Sequence, residues 1–349
     1  MMINYKDRKG SKKDRAIRKL TLLIPIILLL FIASSCIRED EYANNPQGNL
    51  DALWTIIDEK YCFLEYKEIN WDSIYTVYQK RLTTSMSSED LFEVLGDMLT
   101  ELKDGHVNLY SASNVARYWS WYEDYPRNFN ESIIEDYLGT DYRIAGGAKY
   151  KILDDNVGYV YYESFSDAIG NGNLDEILQY MAICNGIIID VRNNGGGNLS
   201  NSTTFAARFT NEKILTGYIR HKTGKGHNDF SDPVAIYLEP SSSIRWQKKV
   251  IVLTNRHAYS ATNNFVNSMR YLPQVTILGD KTGGGSGMPF SSELPNGWSV
   301  RFSASPYFDA EMNQIEFGID PDIKVDMLSS DEDKGIDTMI EAARTLLKN

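Results

Sequence analysis

The chain has 349 residues, 42% hydrophobic and 24% charged, which suits one large globular domain or two smaller ones. Its formal net charge of -11 excludes an extended nucleic-acid groove, which needs a surplus of Lys and Arg. It has only four His and three Cys, with no HExxH and no Cys/His cluster, so neither a metal nor an organic cofactor is expected.

Residues 1 to 19 carry eight basic side chains, and an apolar run from Leu20 to Ala33 follows, broken by Thr21 and Pro25. Ser34 and Ser35 then lead to Cys36. A basic stretch, a short apolar stretch and small residues make residues 1–35 a secretory signal. The apolar run falls short of the ~20 residues that span a bilayer. Ala33-Ser34-Ser35-Cys36 resembles a bacterial lipobox, which implies that Cys36 is lipidated and anchors the mature chain to a membrane. The alternative is a plain thiol beside an ordinary cleavage site. The expected location is the cell envelope, on the periplasmic or surface face of the outer membrane. Removing residues 1–35 takes away eight basic and two acidic groups and leaves a formal charge of -17. Cys62 and Cys184 sit in apolar surroundings and read as buried free thiols.

Residues 36–48 are polar and read as a tether. Residues 49–114 read as a helical subdomain. Leu53, Ile56, Ile57 and Tyr61 give its first helix one apolar face, and a second covers Trp71 to Leu82. Ser87 and Asp90 mark a capping box ahead of the stripe Leu91, Leu95, Met98, Leu99 and Leu102, which stops at Asp104-Gly105. Residues 115–149 are an aromatic-rich insert without a clean period, either a wall of a cleft or a packing lid. Residues 150–349 alternate apolar strands (157–162, 186–191, 250–253, 275–278) with helices near 174–181, 203–209 and 261–271, and end in a helix over 331–347. Continuous apolar strands alternating with helices predict an α/β core on a mostly parallel sheet.

Three loops next to these elements carry candidate chemistry, because ligands collect beyond the carboxyl ends of strands in such sheets. Asp190 to Asn198 holds three consecutive glycines after a buried strand, fit for an oxyanion hole, a phosphate cradle or a tight turn. Asn255 to Asn264 places Ser260 at a strand-to-helix junction, where it is either a nucleophile or an N-cap. Lys103 to Asn108 places His106 in a turn at a helix end, as a general base or a packing residue.

Together the loops resemble the S41 family of serine peptidases, which includes the C-terminal processing proteases and the tricorn core. The matching segments are LKDGHVNL (102–109), GIIIDVRNNGGGN (186–198), VIVLTNRHAYSATNNF (250–265), ILGDKTGGGSG (277–287) and IEFGIDPDI (315–323), in the family's order. The resemblance implies a ClpP/crotonase-type core, with Ser260 as nucleophile and oxyanion donors at the backbone N–H of Gly197, or Gly196, and of Ala261. Processing proteases activate the serine with a Lys. Gly285 stands at that position here, and Lys281 lies four residues early. The tricorn-like branch uses a His and a distant Glu, which fall on His106 and Glu316. Gly105 replaces the small hydroxyl residue that can precede that His, and Asn263 stands where many processing proteases carry Glu. Too few residues separate Tyr110 from Lys151 for an inserted PDZ domain. The implied activity is hydrolysis of peptides or unfolded proteins through an acyl-enzyme. The rival readings are a binding protein that has lost catalysis and a structural subunit of a surface complex.

Overall fold

The computed structural model describes residues 42–348; the signal segment 1–35 and Cys36 lie outside the described residues. The first helix, α1 (Pro46–Lys60), begins inside the stretch read as a tether. Asn45 caps it by accepting the Gly48 N–H, and Pro46 sits in its first turn, so residues 45–48 of that stretch are a helix start. Helices α2 (Trp71–Gln79) and α3 (Ser88–Thr100) follow, and Ser87 and Asp90 exchange both bonds of a capping box at the head of α3. Leu91, Leu95, Met98, Leu99 and Leu102 are all buried. The turn after Leu102 carries His106 into a hairpin of β1 (Asn108–Tyr110) and β2 (Val115–Arg117).

The aromatic-rich stretch holds two short helices, α4 (Ser120–Glu123) and α5 (Glu131–Leu138). Then come β3 (Arg143–Ala145), β4 (Ala148–Ile152), β5 (Gly158–Tyr162), α6 (Asn171–Tyr180), β6 (Gly186–Asp190), α7 (Leu199–Ala206), β7 (Ile214–Ile219) and β8 (Val234–Leu238). The chain closes with β9 (Lys249–Thr254), α8 (Ala261–Met269), β10 (Val275–Gly279), β11 (Gly287–Glu293), β12 (Ser299–Phe308), β13 (Ile323–Lys324), α9 (Ser329–Glu332) and α10 (Thr338–Lys348).

The main sheet runs in the order β13-β10-β9-β6-β5-β4-β3, parallel from β13 to β5 and antiparallel at β4 and β3. Its central strands are apolar throughout because both faces are covered. Val160, Ile187, Ile189, Val252 and Ile277 face Phe205 and Phe265. The alternate residues Tyr159, Ile188, Ile251, Leu253 and Leu278 face Ile134, Met339, Ile340 and Leu347. A second, antiparallel sheet runs β2-β1-β12-β7-β8, with β11 also paired to β12. Residues 43 onward fold as one unit. The composition boundaries at 114 and 149 do not separate domains: β1 pairs with β12, and β3 edges the main sheet. Cys62 and Cys184 are free and buried.

A buried cation closes the carboxyl end of β6. Arg192 is fully buried between Asp190 at 2.6 Å and Asp337 at 2.9 Å. Burial opposes its charge, but Asp190 and Asp337 together raise its pKa well above the usual value. Asp337 also accepts the N–H groups of Met339 and Ile340, so the same carboxylate caps α10 and ties it to the sheet. Arg192→Leu would leave two carboxylates buried without a countercharge. It is expected to cost about 3–5 kcal/mol in urea unfolding, and an unchanged midpoint would show that the cluster contributes nothing net.

Candidate active site

Ser260 joins β9 to α8 with φ 58 and ψ -118, a backbone conformation that residues other than Gly seldom adopt. It occupies the N-cap position, yet its side chain makes no capping bond. Oγ instead lies 2.9 Å from His106 Nε2. The strained turn is held by its backbone, through Ser260 N–H to the Gly284 carbonyl at 2.8 Å and Tyr259 N–H to the Asn194 carbonyl at 3.1 Å. A Ser lifted out of a strand-to-helix turn toward an imidazole is the arrangement that exposes a nucleophile.

The glycine loop is shaped by Asn194. Its Oδ1 accepts the Gly196 N–H at 3.0 Å and the Thr262 hydroxyl at 2.7 Å, and its Nδ2 donates to the Tyr162 carbonyl at 2.8 Å. The loop is then stitched to the stretch after β5, with Phe165 donating to Gly196 and accepting from Asn198. A Cβ on Gly196 would come within 2.7 Å of Ser260 Cβ and 3.0 Å of the Ala261 nitrogen, so the loop lies directly against the serine. The Gly196 N–H is already committed to Asn194. The N–H groups of Gly197 and Ala261 donate to no group among the described residues, and Ala261 opens α8, where the helix dipole is positive.

His106 is buried, and its ring meets Tyr259 edge to face at 4.9 Å. Asp104 fixes the turn by accepting the His106 backbone N–H at 2.8 Å. That carboxylate also accepts hydroxyls from Tyr61 and Ser303, both at 2.9 Å. Burial is the main cause that pushes the imidazole pKa down to about 4. Asp104 opposes the shift, and Arg301 and Lys67 reinforce it. Nδ1 lies near the Gly287 backbone but completes no well-formed hydrogen bond.

Glu316 does not touch the imidazole. It pairs with Lys67 Nζ at 2.9 Å and accepts the Ser286 N–H at 2.8 Å. Lys67 Nζ is also 3.6 Å from Asp104, which links Glu316 to the His106 turn through a buried ammonium. Burial and the charge of Asp104 push Glu316 up to about 7, against the pull of Lys67. Burial would lower the pKa of Lys67, but Asp104 and Glu316 raise it net. Asn263 secures the loop that carries Glu316, donating to the Ile315 carbonyl and accepting from Thr282, which in turn accepts the Ile319 N–H. Sequence reasoning missed Lys67 and the role of Asp104. Lys67 lies outside any apolar period, and nothing local marks it.

Two glycines that depart from the resemblance have a steric explanation. A Cβ on Gly285, at φ 73, would run into Tyr259 Cζ, so a Lys there would collide with the ring unless the ring moved. A Cβ on Gly105 would come within 2.6 Å of Trp121 Nε1 and 2.9 Å of the Tyr259 hydroxyl, which leaves no room for a hydroxyl residue. Lys281 turns to the surface and pairs with Asp320 at 3.4 Å. The cleft at Ser260 has a volume of about 440 Å³, and Tyr118, Trp119 and Trp121 form one wall of it. Trp121 is at once wall and packing, stacked 4.0 Å from the Tyr259 ring, with its carbonyl held by Arg256 at 2.7 Å.

Comparison with known proteins gives this geometry a context. The family described as Peptidase family S41 matches residues 156–325, and the tricorn protease C1 domain matches residues 42–100. A solved structure of a candidate peptidase from Parabacteroides merdae is 56% identical, covering 87% of this chain and 97% of its own, with a TM-score of 0.84. The chain belongs to peptidase family S41. Within that family, the tricorn protease of Thermoplasma acidophilum is 28% identical over 161 residues, 45% of this chain and 14% of that protein. The chain therefore spans only a small part of that relative's length. Mature CPAF, solved with lactacystin, shares the fold at a TM-score of 0.67 and 12% identity, over 87% of this chain and 97% of that one. The mixed α/β architecture is that of solved S41 peptidases.

The depressed pKa of His106 has a measurable consequence. Because the shift is downward from 6.5, the imidazole stays neutral, and able to accept a proton, until the pH falls to about 4. The rate at which a fluorophosphonate probe modifies the serine is expected to hold through pH 6 and to fall toward about 4. A fall centred on the ordinary value of 6.5 would show that burial does not govern this group.

Proposed function

We propose that this S41 family member is an active serine peptidase in which Ser260 attacks the scissile carbonyl and His106 is the general base. The observation that carries this reading is the 2.9 Å approach of His106 Nε2 to an Oγ held on a strained strand-to-helix turn. Neutral imidazole takes the Ser260 proton during attack and returns it to the leaving amine, and water then releases the acyl group. The uncommitted N–H groups of Gly197 and Ala261 are suited to hold the oxyanion. Asp104, Lys67 and Glu316 act behind the imidazole: they fix its turn and place charges around it, but they do not contact the serine. Its substrates in this reading are peptides or unfolded proteins, and the mechanism uses no cofactor.

Digestion of an unfolded protein, followed by mass spectrometry, tests the assignment. Ser260→Ala and His106→Ala are each expected to lower kcat/KM about 10⁴-fold or more, with a fold unchanged by circular dichroism. Cleavage by Ser260→Ala at the parent rate would overturn the assignment of the nucleophile. Attachment to a membrane through lipidated Cys36 belongs to the same proposal and rests on the lipobox-like Ala33-Ser34-Ser35-Cys36 after an apolar run. Growth with an alkyne fatty acid is expected to label the parent protein and not Cys36→Ala, and equal labelling of both would remove the anchor.

A further inference from the structure

Arg117 and Arg301 stand on opposite sides of β1, and Asn108 is the register partner of both. Side chains paired across an antiparallel sheet share a face, so these three look the same way, with the two arginine Cα atoms about 10 Å apart. That face is the one turned to the candidate active site. Ser303, two residues along β12 from Arg301, donates to Asp104 at 2.9 Å, and the Asn108 amide donates to the His106 carbonyl at 2.9 Å. The opposite face carries buried Leu109, Val300 and Phe302.

Both arginines line the cleft that holds Ser260 and His106. The Arg117 guanidinium lies 5.4 Å from the Trp119 ring and 5.8 Å from the Tyr110 ring, contacts that steady it while leaving its N–H groups uncommitted. Neither arginine pairs with a carboxylate among the described residues, and no Asp or Glu lines the cleft. Arg220, Arg245 and Arg256 also pair with no carboxylate among the described residues, but they bond backbone carbonyls and lie outside this cleft. Arg192, Arg208, Arg270 and Arg344 each pair with an acidic side chain, in a chain with 47 acidic and 36 basic residues. Two cations facing a cleft without a counterion are suited to receive one from the ligand, and Arg forks match carboxylate geometry.

We propose that Arg117 and Arg301 bind a carboxylate of the substrate, carried either by an acidic side chain close to the scissile bond or by the chain terminus. The effect on cleavage rests on the reading of Ser260 as nucleophile; the binding does not. The test uses decapeptide pools with Glu or with Gln, each with a free or an amidated C-terminus. For the parent protein, removing the recognised carboxylate is expected to lower kcat/KM by about tenfold or more. A loss on Glu→Gln identifies a side chain as the source, and a loss on amidation identifies the terminus. In Arg117→Gln and Arg301→Gln this preference is expected to shrink toward one, with Arg301→Lys keeping part of it. An undiminished preference in both Gln variants, or none in the parent, overturns the proposal. Binding of the same pools to Ser260→Ala, read by tryptophan fluorescence, separates the two readings. Salt-sensitive binding that needs the carboxylate, with no cleavage by the parent, would support the arginine site and remove the peptidase. Binding indifferent to the carboxylate would remove the arginine site alone.

Discussion

Lys67 holds its ammonium 2.9 Å from Glu316 and 3.6 Å from Asp104, with 5% of its side chain exposed. These residues come from the segment after α1, the turn after α3 and the loop after β12. A charge so buried is stable only where its partners are placed well, and the partners are equally dependent on it. The cluster of Lys67, Asp104 and Glu316 therefore couples three segments far apart in the chain. The position of His106 depends on this coupling, because Asp104 holds both the His106 backbone and, through Tyr61 and Ser303, the neighbouring helix and strand. The imidazole itself makes few bonds, and its surroundings are what fix it.

Around that constraint the site is assembled from loop ends. The parallel strands β6 and β9 deliver the glycine loop and Ser260 to the same edge of the sheet, and Asn194 binds the two loops through Gly196 and Thr262. The unfavourable backbone angle at Ser260 persists because the Gly284 carbonyl and the head of α8 hold it on both sides. The antiparallel sheet is the other half of the site: β2 and β12, on either side of β1, carry Arg117 and Arg301, which face the cleft from the His106 side.

Much of the parallel core was legible because each strand is a continuous apolar run and each helix an apolar stripe. Ser87 and Asp90 announced the head of α3 by a local rule, and they make both predicted bonds. The antiparallel sheet was not legible as a unit. Its strands pair across nearly two hundred residues, as in Asn108 with Arg301, and a local pattern holds no record of such distances. Pro46 to Gly48 read as a linker for a different reason: the local cap at Asn45 and the Pro in the first turn were masked by the polar composition around them. At the site, Ser260, His106 and Gly197 followed from motifs, whereas the partner of Glu316 did not. An ion pair between residues 67 and 316 leaves no periodic trace, and only the fold brings them together.

Tyr259 sits where His106, Trp121 and Gly285 meet. Its ring fills the space where a side chain at 285 would begin, packs beneath Trp121 and abuts His106. A lineage moving from imidazole to lysine activation would have to empty this space before filling it. A smaller residue at 259 would first loosen the imidazole, while a lysine at 285 introduced alone would collide with the ring. The two ways of activating one serine are thus separated by an intermediate in which neither is well formed. Under the proposed reading of His106 as base, exchange between the two would require paired changes at 259 and 285.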